Sequence, residues 1–395
     1  MRPLASRMSV MTGEGALSVY GHAKELERQG RSIIHLELGE PDFHPAAPVN
    51  EALKQAIDQG KDRYCAIAGV PALREALAVY LRETRNITIS PGSIVIAPGC
   101  KIALFMAMMA LIDPGDEVLY PDPAFPGYAS ITLGLGGVAV PFTLAERNQL
   151  QPDPDEIAPK ITPRTKIIIT NSPGNPTGTV YADQVQRHIA ELAVKHDLLV
   201  LSDEIYARII YGGTYHSMLS YPGMPERTVL LDGFSKSFAM TGWRLGYAVA
   251  PPHIVEALQL LVMNTYTSVA EFSQYGAIEA LRDREGATDR MVGEFAKRRE
   301  QFMSDLNRVP GFRCLPPEGA FYAWVNIEDT GLSAEELCRI MLEEAGVAAI
   351  PGAAFGEAGT HFVRFSFASS MVTLKEAVER IQRVATAWQH APVSR

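Results

Sequence analysis

The chain has 395 residues, a length at which one hydrophobic core gives way to two domains or to a large domain with an appendage. Its 47% apolar and 21% charged residues exclude a disordered chain. The 36 Lys+Arg against 45 Asp+Glu, a net charge of −9, exclude the basic footprint of a nucleic-acid binder and argue against unassisted docking on anionic membranes.

Met1 to Met11 lacks the apolar stretch of a secretory signal and reads as an N-terminal arm. From about residue 90 to 250, strand-like runs alternate with helical patterns: Ile94–Ala97, Glu117–Tyr120, Val138–Phe142, Lys166–Thr170, Leu198–Ser202, Thr228–Asp232 and Gly246–Ala250. The longest apolar run, Ile102 to Ile112, is helix-like and too short to span a bilayer. Ala182 to His196 places Val185, Ile189, Leu192 and Ala193 on one helical face. Such alternation predicts an α/β fold with a mostly parallel sheet covered on both sides. Residues 253 to 305 read mostly as helix. After Pro310-Gly311 come Phe321–Ile327, a helix from Ser333, then Val347–Ile350 and Phe362–Phe367, the texture of a smaller α+β domain. Gly13–Gly15, Pro152–Pro154 and Pro316–Gly319 are expected loops. The expected division is a large domain over 46–285, a small domain from 12–45 with 286–395, and the arm 1–11. Cys65, Cys100, Cys314 and Cys338 are scattered without a CxxC, so neither disulfides nor a metal site is expected, and a reducing cytoplasm is the expected location.

Lys236 follows the apolar strand Val229–Leu231 and precedes Arg244 by eight residues. An amine at a strand's end can form a Schiff base with an aldehyde cofactor, and a nearby arginine can hold that cofactor's phosphate. Asn175 and Asp203 also follow predicted strands, and open α/β sheets bind ligands outside the carboxyl ends of their strands. Pyridoxal phosphate needs this set. Its aldehyde takes Lys236, its ring nitrogen takes a carboxylate, Asp203, and its phenolic oxygen takes donors from Asn175 and Tyr206. Arg244 and the free N–H groups of a helix opening at Pro98-Gly99-Cys100-Lys101 suit its phosphate.

Each residue alone also has a plainer reading. Asp203-Glu204 could open a solvated helix, and Asn175-Pro176-Thr177-Gly178 could be a turn. Arg364, inside an apolar strand, could pair with a structural carboxylate. Phe125, Tyr64 and Tyr206 would pass for core or interface aromatics, and Cys100 for packing. Gly134-Leu135-Gly136-Gly137 lacks dinucleotide-loop spacing and precedes a strand rather than following one.

Taken together, Asn171–Gly178, Ser202–Tyr206, the run Ser235-Lys236 to Tyr247, and Val363–Ala368 resemble the signatures of class I aminotransferases, fold-type-I pyridoxal-phosphate enzymes. The bacterial aspartate aminotransferase-like subgroup is nearest, and the likeness extends to Leu38–Phe43 and Tyr64-x4-Gly69-x-Pro71-x-Leu73-Arg74. The resemblance implies a mostly parallel seven-stranded sheet covered by helices, a smaller α+β domain, and a homodimer. It also implies an amino group moved from an L-amino acid to a 2-oxo acid through a Lys236 Schiff base and pyridoxamine phosphate, by ping-pong kinetics. Lys236, Asp203 and Tyr206 would be catalytic. Arg364 would grip the substrate α-carboxylate, helped by the Gly39 N–H and Asn175. Phe125 and Ile205 would cover the two ring faces. Gly99, Cys100 and Lys101 would lie at the phosphate, with Lys101 also able to meet substrate, and Tyr64 would reach the partner's cofactor phosphate.

Two departures stand out. Many relatives have serine three residues before the lysine, where this chain has Gly233, and Glu14 falls near a position usually bearing a small hydroxyl residue. Aspartate, aromatic and neutral aliphatic donors remain open, with 2-oxoglutarate as the expected acceptor. The alternatives are an eliminating lyase on the same scaffold and, more distantly, a non-catalytic cofactor-binding regulator.

Overall fold

The computed structural model describes residues 2–13, 15–283 and 285–388; Glu14 lies outside the described residues. The chain enters through α1 (Gly15–Arg28), β1 (Ile34–His35), α2 (Ala47–Asp58) and α3 (Pro71–Arg85). Strands and helices then alternate: β2 (Ile94–Ala97), α4 (Cys100–Leu111), β3 (Glu117–Asp122), α5 (Gly127–Gly134), β4 (Val138–Thr143), the one-turn α6 (Pro154–Ile157), β5 (Thr165–Asn171), α7 (Asp183–Lys195), β6 (Leu199–Asp203), β7 (Thr228–Gly233) and β8 (Gly246–Val249). Helices α8 (Pro252–Asn264), α9 (Glu271–Arg282) and α10 (Ala287–Leu306) follow. The last stretch holds β9 (Arg313–Cys314), β10 (Tyr322–Asn326), α11 (Ala334–Ile340), β11 (Val347–Ala348), β12 (Ile350–Pro351), β13 (Phe362–Ser366) and α12 (Met371–Trp388).

Among the described residues the large sheet has seven strands in the order β2-β8-β7-β6-β5-β3-β4. Only β8 runs against its neighbours, β7 and β2. The centre is buried on both faces, so its strands are continuous apolar runs. Side chains alternate between those faces: Ile167 and Ile169 pack with α4 and α8, while Ile168 packs with α7 residues Ile189 and Ala193. Helix α7 buries Gln186, Ile189, Ala190 and Ala193. That face is slightly rotated from the predicted one, leaving Val185 and Leu192 half-buried.

A four-stranded sheet, β12-β13-β10-β9, packs its apolar side against α10 and α12. Strand β1 pairs in parallel with β11, which ties the N-terminal segment to this C-terminal layer. The predicted strand Val347–Ile350 is in fact two short pieces in different sheets, since β11 pairs with β1 and β12 with β13. Ser333 caps α11 through Oγ, accepting the Glu336 N–H at 3.2 Å, and the helix widens into a π turn over Met341–Ala345 before Gly346 ends it at φ +66°. Two expected loops are shorter than predicted, because Gly15 already opens α1 and Pro154 opens α6. Among the described residues no helix is long and apolar enough to cross a membrane.

Candidate active site

Three neighbouring strands of the large sheet deliver polar groups to one cleft. Asp203 is the last residue of β6 and is buried. Its Oδ2 accepts the Tyr128 hydroxyl at 2.7 Å, its Oδ1 accepts the Ile205 N–H at 3.3 Å, and Cys100 Sγ lies 4.0 Å from Oδ1. Burial pushes the Asp203 carboxyl up to about 6, the hydrogen bonds from Tyr128 and Ile205 hold it down, and the nearby Asp232 and Glu204 charges push it up. Burial likewise pushes the Cys100 thiol well up, which disfavours its thiolate.

Lys236 follows the end of β7 by three residues. Its amine donates to the Gly39 carbonyl and lies 5.9 Å from the centre of the Phe321 ring. Burial brings the amine down to about 8; Glu40 opposes this, and the cations Arg364, Lys101 and Arg244 add to it. At the end of β5, Asn171 ties the wall together: its Oδ1 accepts the Asn175 N–H at 2.9 Å while its Nδ2 donates to the Asp203 carbonyl at 3.2 Å.

The facing wall comes from the N-terminal segment and the small sheet. Arg364, on β13, is 4% exposed. Its Nη1 donates to Asn175 Oδ1 at 2.8 Å and its Nη2 to the Glu37 carbonyl at 2.6 Å. The guanidinium lies 4.4 Å from the Tyr322 ring centre and 4.8 Å from that of Phe355. Tyr206 and Tyr322 share a hydroxyl contact of 2.7 Å. Phe125 stands edge-on to Tyr128, and the Lys101 amine lies 5.3 Å from its ring centre. Gly39, Ile205 and Cys100 complete the predicted residues that line the cleft.

Gly99 and Arg244 sit beside the cleft rather than among its lining residues. Arg244 adopts a left-handed φ of +55° after the turn Thr241–Trp243, and its Nη1 donates to the Thr241 carbonyl at 2.9 Å. Gly99 has φ +96°, and a Cβ there would stand 2.5 Å from Arg244 Nη2. Tyr64 is 84% exposed and does not line the cleft. The Gly233 departure has a steric cause. In register with Gly246, it would point any Cβ to within 2.8 Å of the Leu245 carbonyl oxygen, so serine there would force β7 and β8 apart.

Sequence reasoning missed Tyr128, Tyr322 and Phe355, all of which line the cleft. Each reads as an ordinary core aromatic in its own segment, and only the fold brings it to Asp203 or Arg364. Gly15, Ala16 and Leu17 at the start of α1 also line the cleft, close in sequence to the position suspected at Glu14.

Comparison with known proteins is consistent with this geometry. The model of the family described as Aminotransferase class I and II matches residues 31–381. An aspartate aminotransferase of Pyrococcus abyssi (strain GE5 / Orsay) is 41% identical over 358 residues, covering 90% of this chain and 92% of that protein. Aromatic-amino-acid aminotransferase 2 of Thermococcus litoralis is 37% identical, covering 96% of this chain and 98% of its own length. The solved aspartate aminotransferase of Thermus thermophilus with maleate matches with a TM-score of 0.92 at 36% identity, covering 97% of this chain and all of that one.

Proposed function

Since this chain belongs to the class I and II aminotransferases, we propose that it transfers the amino group of an aspartate-like or aromatic L-amino acid to a 2-oxo acid, with pyridoxal phosphate held in the cleft. The observation that carries this reading is the meeting of Lys236, Asp203 and Arg364, from three separate parts of the chain, around a single cavity.

The donor set fits that cofactor. A buried carboxylate raised towards neutrality suits a ring nitrogen that must stay protonated, and a buried amine lowered towards neutrality suits an aldehyde. Phe125 offers a flat ring face and Ile205 an apolar branched one to cover the two sides of a ring, Asn175 and Tyr206 can donate to its phenolic oxygen, and Arg244 with the first N–H groups of α4 suits the phosphate. When bound, pyridoxal phosphate supplies an electron-withdrawing ring that makes an amino acid's Cα–H acidic. Lys236 would do two things from its own position: its amine would be the covalent anchor and, as a free amine, the base that moves the Cα proton. Arg364 fixes the substrate carboxylate in a planar two-point grip, and Asn175 sets the angle of that guanidinium through its amide oxygen.

Lys101 supplies a cation, and Ala16, Leu17, Leu38 and Phe355 supply apolar surface, which suits dicarboxylic and aromatic side chains. The active unit is a homodimer, in which the exposed Tyr64 of each protomer serves the other protomer's cofactor phosphate. A matrix of amino donors against 2-oxo acids, run on protein loaded with pyridoxal phosphate, tests the reading. Donor alone should release one equivalent of 2-oxo acid per site and then stop. Sustained ammonia release without an acceptor would instead support an eliminating lyase.

A further inference from the structure

Asp203 and Lys236 leave the large sheet on adjacent strands, and a charge cluster that the transfer itself does not use lies behind both. Arg85, the last residue of α3, is 5% exposed. Its Nη1 donates to Glu204 Oε2 at 2.8 Å and its Nη2 to Asp232 Oδ2. Glu204 directly follows Asp203 and is fully buried; its Oε1 accepts Ser202 Oγ at 3.0 Å, Ser217 Oγ at 2.7 Å and the Met218 N–H at 3.2 Å. Asp232 lies in β7, four residues before Lys236, and also accepts the Tyr247 hydroxyl at 2.8 Å and the Gly233 N–H at 2.6 Å. One guanidinium against two carboxylates leaves a formal net charge of −1, sealed from solvent.

A buried ion cluster of this kind contributes little net stability, because desolvation offsets most of the attraction. Its position gives it another use. We infer that Arg85 is a positioning residue by virtue of its charge: set against Glu204 and Asp232 at the ends of β6 and β7, it leaves a background of one negative charge behind Asp203. That background favours the protonated, cationic form of whatever ring nitrogen Asp203 faces. The inference rests on the cofactor reading above. The groups in direct contact with Asp203 are Tyr128 from α5, Cys100 from α4, Asn171 from β5 and the Ile205 N–H, none of which carries a charge, while Tyr206 and the cations Lys236, Lys101 and Arg364 line the same cleft. Glu204 and Asp232 are the charges that push its carboxyl up.

The test is a pH titration of the ring nitrogen of bound pyridoxal phosphate in the holoenzyme, followed by nitrogen-15 NMR of ring-labelled cofactor. Glu204→Gln leaves a neutral Arg85–Asp232 pair, so the midpoint of that titration should fall by about half a pH unit or more. Adding Arg85→Gln to that variant leaves Asp232 alone, restores the net −1, and should bring the midpoint back towards wild type. A purely structural role predicts the reverse, with the double variant displaced further than the single one. If the double variant does not fold, Asp232→Asn must reproduce the downward shift while Arg85→Lys, which keeps the charge, leaves the midpoint in place. Unmoved midpoints in Glu204→Gln and Asp232→Asn would overturn the inference. A wild-type protein that takes up no pyridoxal phosphate would instead overturn the reading of the site itself.

Discussion

The two walls of the cleft are built by different means. Asp203, Asn175 and Lys236 stand at the ends of neighbouring strands whose flanks are packed on both faces, and their side chains are cross-tied: Asn171 reaches both Asp203 and Asn175, and Tyr128 reaches Asp203. Arg364, Gly39 and the start of α1 come from the small sheet and the N-terminal segment, which are joined through short pairings such as β1 with β11. Under the proposed function, bond-making chemistry, which tolerates little misplacement, would sit on the first wall. Recognition of a carboxylate and a side chain would sit on the second. Substitutions on the first wall should therefore remove turnover, and those on the second should alter which substrates are accepted.

The sharpest way to break this contrast is Lys236→Ala, expected to lower turnover by roughly ten-thousandfold and to abolish the covalently anchored visible band. A variant retaining that band would contradict the anchor. Asp203→Asn should keep the band while turnover falls by about a thousandfold, measured in single-turnover reactions. It should also separate activity from stability. Because the folded carboxyl is raised to about 6, the native state takes up a proton that the unfolded chain gives up at lower pH, so wild type loses stability as pH rises from about 4 to 6. The cofactor-free Asp203→Asn protein should thus be more stable above pH 6, by up to about 3 kcal/mol, with the gain vanishing near pH 4 in denaturant titrations.

On the opposite wall, Arg364→Lys keeps a charge but loses the planar fork. The KM values for donors and acceptors should rise together by about a hundredfold, with a smaller change in kcat. Smallest of all, Lys101→Ala tests an exception to the division, since α4 packs on the large sheet: it should shift the ratio of kcat/KM for aspartate over an aromatic donor by about tenfold while leaving aromatic turnover nearly intact. A Lys101→Ala protein that loses both donors equally would remove that exception.

The same division governs how much could be read from the residues alone. The large sheet was legible because each central strand is a short apolar run followed by a polar residue, as in Leu199–Asp203, where the pattern names both the strand and the group it presents. Arg85 was not legible. It ends an amphipathic helix beside Arg82 and looks like another solvated cation, and only tertiary packing places it between two carboxylates. Tyr128 and Tyr322 were missed for the same reason, since a hydroxyl's partner lies far along the chain. Val347–Ile350 read as one strand because alternation cannot reveal that successive dipeptides pair with different neighbours.

The close fit between Gly99 and Arg244 makes these two positions mutationally interdependent. A side chain at 99 must enter the space already filled by the guanidinium, 2.5 Å from where its first carbon would be, and must also accept a left-handed backbone. In a library randomised at both sites and selected for activity, arginine at 244 should be recovered almost solely with glycine at 99. Any larger residue at 99 should survive only beside a shortened 244.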